Sequence, residues 1–192
     1  MRKIIVSEFV SLDGVMEGPG PNNEFKIAGW TVPYWSDEIG KFKFDELFAG
    51  DALLLGRVTY QGFAANWPGM KDEQGYADRM NGLPKYVVST TLDKAEWNNS
   101  HLIKNAKRIA EEVSELKQQS GQDILVFGSG TLAQTLIQQN LVDQYHLLVY
   151  PVVLGSGKRL FQDGSNTTLK LVETKPFSSG VVAMIYQADR KE

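Results

Sequence analysis

The sequence predicts one α/β domain over residues 1–192, built in three layers around a mostly parallel sheet with an antiparallel C-terminal part. Three observations carry that expectation. Apolar runs of strand length alternate with segments of helical spacing, which implies parallel strands joined by helical crossovers. Two late strand candidates, TLKLVET and GVVAMIYQAD, are joined by the short stretch around Pro176–Gly180, so they must run antiparallel. Finally, the apolar run DILVFG passes through Gly128-Ser129-Gly130-Thr131 straight into a helical pattern, TLAQTLIQQN.

The elements follow in order. KIIVSEFV is rich in β-branched residues and reads as a strand, ending in the polar turn Ser11-Leu12-Asp13-Gly14. Residues 17–23, EGPGPNN, must be loop, and a loop of that kind suits an active-site flap. Ser36 can cap a helix with Asp37 and Glu38 in its first turn, Ile39, Phe42 and Leu47 on its apolar face and Gly50 at its end. DALLLG is a short buried strand, RVTYQGFAANW a helix closed by Pro68-Gly69, and KYVVST the next strand. Residues 101–119 show the clearest helical spacing, through Ile103, Ala106, Ala110, Val113 and Leu116, with Gly121 beyond the last turn. QYHLLVYPVVLG reads as one long strand over residues 144–155.

Composition narrows the function classes. The net charge is -3, and the densest basic cluster is Lys104, Lys107 and Arg108. That disfavours nucleic-acid and membrane-surface partners, which need a concentrated positive field. There are 0 cysteines, so disulfides, thiolate metal sites and cysteine nucleophiles are excluded. Arg2 and Lys3 precede an apolar run, but Ser7 and Glu8 interrupt it too early for a signal peptide, and the expected setting is cytoplasmic. The 2 histidines, His101 and His146, show no paired ligand spacing, and no metal is expected. Asp37, Glu38 and Asp45 share one helix and read as a solvated surface.

The turn at Gly128 to Thr131 is G-x-G-x-x-A, a permitted dinucleotide-binding fingerprint. A strand end followed at once by a helix offers free backbone N–H groups to a phosphate. A tight turn that needs glycine only for its backbone explains the same residues. A Rossmann site also demands an acid at the end of the next strand. That strand ends in Leu154-Gly155, so the ribose clamp is missing. Gly56, Arg57 and Thr59 stand at a second strand-to-helix junction, where a guanidinium suits phosphate, and Ser89, Thr90 and Thr91 stand at a third strand end. Gly155 to Lys158, GSGK, lacks both the first glycine and the final Ser/Thr of a P-loop.

With these strand ends together, the chain resembles the dihydrofolate reductase superfamily. It is most similar to the reductase domain of the bacterial bifunctional riboflavin-biosynthesis deaminase–reductase, in its stand-alone branch. The carriers are VSLDGVMEGPG, DALLLGRVTY, LPKYVVSTTL, DILVFGSGTLAQTLI and LVDQYHLLVYPVVLGSGKRLF. The resemblance implies an NADPH-dependent reductase acting on a small heterocyclic or ribosylaminopyrimidine-type substrate. Gly128, Ser129, Gly130, Thr131 and the adjoining Leu132 would lie at the pyrophosphate. Gly56, Arg57 and Thr59 would lie on the adenosine side, and Ser89 and Thr90 near the 2′-phosphate. Phe9 would flank the nicotinamide, with Ser11, Gly14, Trp30 and Trp35 at the substrate. Asp13 is the candidate for a proton-relay role, and an Asx turn before Gly14 explains it equally. One departure stands out. Dihydrofolate reductase carries an acid after its W-x-x-P-x stretch, and here Trp30-Thr31-Val32-Pro33-Tyr34 is followed by Trp35. The alternatives are a dihydrofolate reductase proper, an NADH-dependent oxidoreductase, or a nucleotide-binding module without turnover. The apolar tail strands suit a homodimer.

Overall fold

The computed structural model describes residues 1–21, 25–105 and 108–189. Asn22 and Asn23 of the expected loop, Ala106 of the expected helix and Lys107 of the basic cluster lie outside the described residues. The chain runs β1 (Ile4–Ser11), a 3-10 turn (Val32–Tyr34), α1 (Asp37–Ala49), β2 (Gly50–Gly56), α2 (Arg57–Asn66), α3 (Tyr76–Gly82), β3 (Lys85–Val88) and β4 (Ser100–Ile103). It continues with α4 (Ile109–Gln118), β5 (Asp123–Phe127), α5 (Gly130–Gln138), β6 (Gln144–Tyr150), β7 (Leu169–Pro176) and β8 (Val182–Ala188).

The strands form one sheet of eight, in the order β4-β3-β2-β5-β1-β6-β8-β7. All pairs from β4 to β6 are parallel, and β6–β8 and β7–β8 are antiparallel. The expected fold class therefore holds. Alternation along β1 splits its side chains between two cores. Ile4, Val6 and Val10 pack with α4 and α5. Ile5 packs on the other face with Leu47 of α1, Tyr60 of α2 and Met80 of α3. Each fully buried Ile or Leu, such as Ile4 or Leu53, contributes about 1.5–3 kcal/mol of apolar transfer free energy. A third cluster gathers Trp30, Tyr150, Phe177 and Val181 beyond the β6 end.

Several boundaries differ from expectation. The helix expected over 101–119 is two elements: Ser100–Ile103 pairs with β3 as an edge strand, and the helix starts only at Ile109. Ile103 fits a helical apolar stripe by spacing, but its side chain is buried in the core from β4. The strand expected over 144–155 stops at Tyr150, because Pro151 has no N–H for a ladder. The helix α3 and the 3-10 turn fall where no element was expected. Ser36 caps α1 as expected, its Oγ accepting from the Ile39 amide at 3.4 Å.

The amino ends of the strands are tied by matched charges. Arg2 pairs with Asp51 and donates from Nε to the Gln122 carbonyl at 2.7 Å. Lys117 meets Asp143 at 2.6 Å, and Asp143 also accepts the Ile4 amide at 2.8 Å. Lys85 is fully buried and donates to the carbonyls of Asn81, Leu83 and Asn98 at 2.8–3.0 Å, with its ammonium 4.1 Å over the Trp97 ring. No helix among the described residues is long and apolar enough to cross a membrane.

Candidate active site

The carboxyl ends of the parallel strands lie together, the usual place for ligands of open α/β sheets. There β5 and β1 part. Their ladder runs from Ile4–Ile124 to Ser7–Phe127, whereas β1 stays paired with β6 as far as Ser11–Tyr150. Beyond Ser7 the edge of β1 that faced β5 is open, and the next residues along are Glu8 and Gly128. Gly128 has φ +55 and Ser129 has φ +59, a left-handed pair that swings the chain out of the sheet and into α5. For Ser129 that conformation is unfavourable, and its side chain and backbone are pinned to hold it. Its Oγ accepts from the Gly56 amide at 2.9 Å, and its own amide donates to Thr59 Oγ1 at 2.8 Å. A Cβ on Gly128 would come within 3.2 Å of that same Thr59 oxygen.

The two glycine-bearing junctions foreseen in the sequence are thus stitched into one rim. The hydroxyls of Ser129 and Thr59 shape the turn, and the groups left facing outward are backbone. Helix geometry leaves the amides of Gly130, Thr131 and Leu132 without intrahelical acceptors, since the Ala133 amide closes the first turn on the Ser129 carbonyl. Thr131 is exposed and Leu132 is buried in the core. Gly56 pairs with Val88, so Arg57 and Ser89 follow side by side at neighbouring strand ends. Arg57 is exposed, with Nη1 3.0 Å from Gln61 Oε1. Ser89 is buried, and its Oγ accepts the amides of Thr91 and Leu92 at 3.2 and 2.9 Å, while Thr90 is exposed.

The other wall is aromatic. Phe9, Trp30 and Tyr34 each meet the Tyr150 ring edge-on, with centroids 5.6, 5.3 and 6.1 Å away. Trp30 is buried and fixed by its Nε1 donating to the Glu17 carbonyl at 2.8 Å. Trp35 touches Phe9 edge-on at 6.4 Å and is 54% exposed. The Tyr150 hydroxyl is buried without a hydrogen-bond partner, and burial pushes it up from its ordinary range. Neither acid after Trp35 replaces the carboxylate of dihydrofolate reductase: Glu38 is engaged by the Ser178 amide and hydroxyl, and Asp37 is exposed.

Asp13 lies in the turn that Gly14 completes at φ +80. Its carboxylate accepts from Ser11 Oγ at 2.7 Å and from the amides of Leu154 and Gly155 at 3.0 and 2.8 Å. The Ser11 hydrogen bond, with those amides, holds it down at about 2. At neutral pH it is a charged tie between two loops, and the Asx turn expected as its alternative is not formed, because the Val15 amide donates to Ser11 Oγ at 2.9 Å instead.

Under Phe9 sits a group of buried charges to which no sequence motif points. Lys43 of α1 reaches Ser7 Oγ at 2.7 Å and forms a close ion pair with Glu46. Its ammonium lies 4.1 Å from the Phe127 ring centroid and 5.6 Å from that of Phe9. Ser7 Oγ in turn donates to Glu46 at 2.9 Å, and His146 Nδ1 is 2.7 Å from the other Glu46 oxygen. Burial alone would raise the Glu46 carboxyl, but the Lys43 ammonium and the His146 contact override it and hold it at about 2. Glu8 has the opposite fate. Burial pushes it well above the ordinary 4.5; Lys43 pulls it down, Glu46 pushes it up and the Gly128 amide pulls it down. Its Oε1 has no hydrogen-bond partner. The signal for Glu8 was present in the sequence as an acid inside the apolar run KIIVSEFV. Lys43 and Glu46 stand three apart on a helix, a spacing indistinguishable from an ordinary surface pair.

The chain and its fold have known counterparts. A family model described as the RibD C-terminal domain matches residues 2–183. The chain belongs to that family. The uncharacterized protein YyaP of Bacillus subtilis is 36% identical over 189 residues, covering 96% of this chain and 94% of YyaP. Dihydrofolate reductase from Enterococcus faecalis, solved with NADP(H), matches this RibD C-terminal domain with a TM-score of 0.61 at 14% identity, covering 98% and 97% of the two chains. The diaminohydroxyphosphoribosylaminopyrimidine deaminase/5-amino-6-(5-phosphoribosylamino)uracil reductase of Thermotoga maritima gives 0.64 at 13%, covering 97% of this chain and 56% of that one. At such identities the two structures establish the shared fold of this RibD C-terminal domain.

Proposed function

We propose that the chain is an NADPH-dependent reductase acting on a small heterocyclic or ribosylaminopyrimidine-type substrate. The observation that carries the reading is the parting of β1 and β5 beside a rim of outward-facing amides. A flat ring fits between separated strand ends, and a pyrophosphate fits amides at a helix N-terminus. Membership of the RibD C-terminal domain family supports the reductase assignment, and the NADP(H) held by the Enterococcus enzyme supports the cofactor. Arg57 at the rim, and the lack of an acid at the end of β6, favour a phosphorylated ribose over a free one. Such a cofactor supplies hydride, while the chain's part is to bind it, orient it and exclude water. Phe9, Trp35 and Tyr150 would form the substrate wall, with Ser11, Asp13 and Gly14 holding its loop. Trp35, where dihydrofolate reductase has an acid, argues against a pterin.

The test is binding of NADPH and NADH, followed by tryptophan fluorescence, to wild type and Arg57→Ala. Wild type is expected to prefer NADPH, and the variant to lose about 1.5–3 kcal/mol of NADPH affinity while NADH binding is unchanged. Equal affinities in wild type would remove Arg57 and Ser89 from the phosphate site. Oxidation of NADPH with 5-amino-6-(5-phosphoribosylamino)uracil, and none with dihydrofolate, is the expected turnover. Binding without turnover on either would leave a nucleotide-binding module. The same reading carries a cytoplasmic setting and a homodimer, for which the exposed Leu171 and Val172 on the edge strand β7 offer the surface.

A further inference from the structure

Reduction of a C=N or C=O group consumes a hydride and a proton; the aromatic wall of the cleft supplies no carboxyl, and burial pushes its Tyr150 hydroxyl up, so that group gives up a proton poorly. Asp13 is ionised and triply bonded. One carboxyl lies at the floor of the parting itself. Glu8 is the first β1 residue beyond the β1–β5 ladder, level with Gly128, buried and with Oε1 unpartnered. Around it the buried groups do not balance: Glu8 and Glu46 face the single ammonium of Lys43. Geometry decides which acid Lys43 serves. Glu46 takes the ammonium, the Ser7 hydroxyl and His146, and Glu8 is left with none of them.

We propose that Glu8 is the proton donor of this cleft, and that Lys43, Glu46 and Ser7 are positioning residues that keep the donor loaded. The inference rests on the reductase reading above. A hydride leaves the C4–H bond of a reduced nicotinamide with its electron pair and forms a C–H bond at the substrate carbon. The π pair of the C=N bond moves to nitrogen, the O–H bond of Glu8 breaks and an N–H bond forms. Glu8 is left as a carboxylate, stabilised by the nearby Lys43 ammonium, and is reprotonated from solvent when product leaves. Glu46, paired with Lys43 and bonded by Ser7 and His146, keeps the ammonium from closing on Glu8. Among the described residues, the charges that act on Glu8 are Lys43 and Glu46 of α1, and His146 of β6 contacts Glu46. The α5 sequence GTLAQTLIQ brings none.

Infrared spectroscopy tests this without turnover. Wild type at pH 7 is expected to show the C=O stretch of a protonated carboxyl that Glu8→Gln abolishes. The band should also disappear in Glu46→Gln, because Lys43 then pairs with Glu8 and ionises it. Saturating NADPH should shift the band in wild type. Absence of the band, or a band unmoved by NADPH that demonstrably binds, overturns the proposal. Failure of NADPH to bind wild type overturns the cofactor reading instead, so the two failures are separate. In single-turnover reduction of 5-amino-6-(5-phosphoribosylamino)uracil, Glu8→Gln should bind NADPH normally and react about 100-fold more slowly, with no pH dependence from this group. A wild-type rate in Glu8→Gln refutes the assignment.

Discussion

The two ends of the parallel sheet treat charge in opposite ways. At the amino ends, Arg2 meets Asp51, Lys117 meets Asp143, and the buried Lys85 spends its ammonium on three carbonyls. At the carboxyl ends, one buried lysine faces two buried acids, and Glu8 Oε1 and the Tyr150 hydroxyl have no partner. Both ends belong to the same strands and share the same cores. The amino end pairs its buried cations with carboxylates or carbonyls, although Arg79 Nε and Ser100 Oγ there lack a partner, whereas the carboxyl end buries an acid, Glu8, whose Oε1 has none. Burial of an unbalanced charge is costly; the amino end meets that cost for Lys85 with three carbonyls and a ring face, and Glu8 has no comparable set of partners.

That contrast can be broken by experiment. The largest effect is expected from Lys43→Met, which strands Glu46 and should cost about 3–5 kcal/mol in urea unfolding; a loss below 1 kcal/mol would mean the cluster is hydrated and ordinary. Lys117→Met, at the other end, should cost about 2 kcal/mol because Asp143 keeps the Ile4 amide, and should leave NADPH affinity untouched. A shift in that affinity would abolish the division of labour between the ends. Alkaline titration probes Lys85, which burial pushes down to about 8 from 10.5. The folded state then holds fewer protons than the unfolded chain between those values, so stability should rise by about 1 kcal/mol per pH unit just above pH 8. Lys85→Met should flatten that rise in a urea series at pH 8 and 9. Least of all, Lys41→Ala removes an exposed pair with Asp45 and should change stability by under about 0.5 kcal/mol.

Much of the architecture was legible in the sequence because β2 and β5 carry unbroken runs of leucine or β-branched residues and β1 opens on one. The glycine junctions were legible too, because a left-handed turn at Gly128 writes itself in residue choice. Ser100–Ile103 was not, since four residues beside a helical stripe carry too little period of their own. Within the site, residue types announced the rim but not its internal bonding: Ser129 and Thr59 bind each other's backbone surroundings rather than pointing outward. The buried cluster was the least legible part. Lys43 and Glu46 follow a helical polar spacing, and only tertiary packing turns that face inward. The acid in β1 was visible as an interruption, and its meaning depended on which strand stopped pairing beside it.

The short ladder between β1 and β5 has a mechanical consequence. Four residue pairs, Ile4–Ile124 to Ser7–Phe127, are the seam between the group β4-β3-β2-β5 and the group β1-β6-β8-β7. The seam is closed at one end and open at the other, like a partly zipped garment. Its stopping point sets the depth to which any inserted ring can descend, and one more pair would lift the floor by about 3.3 Å, nearly the thickness of the ring itself.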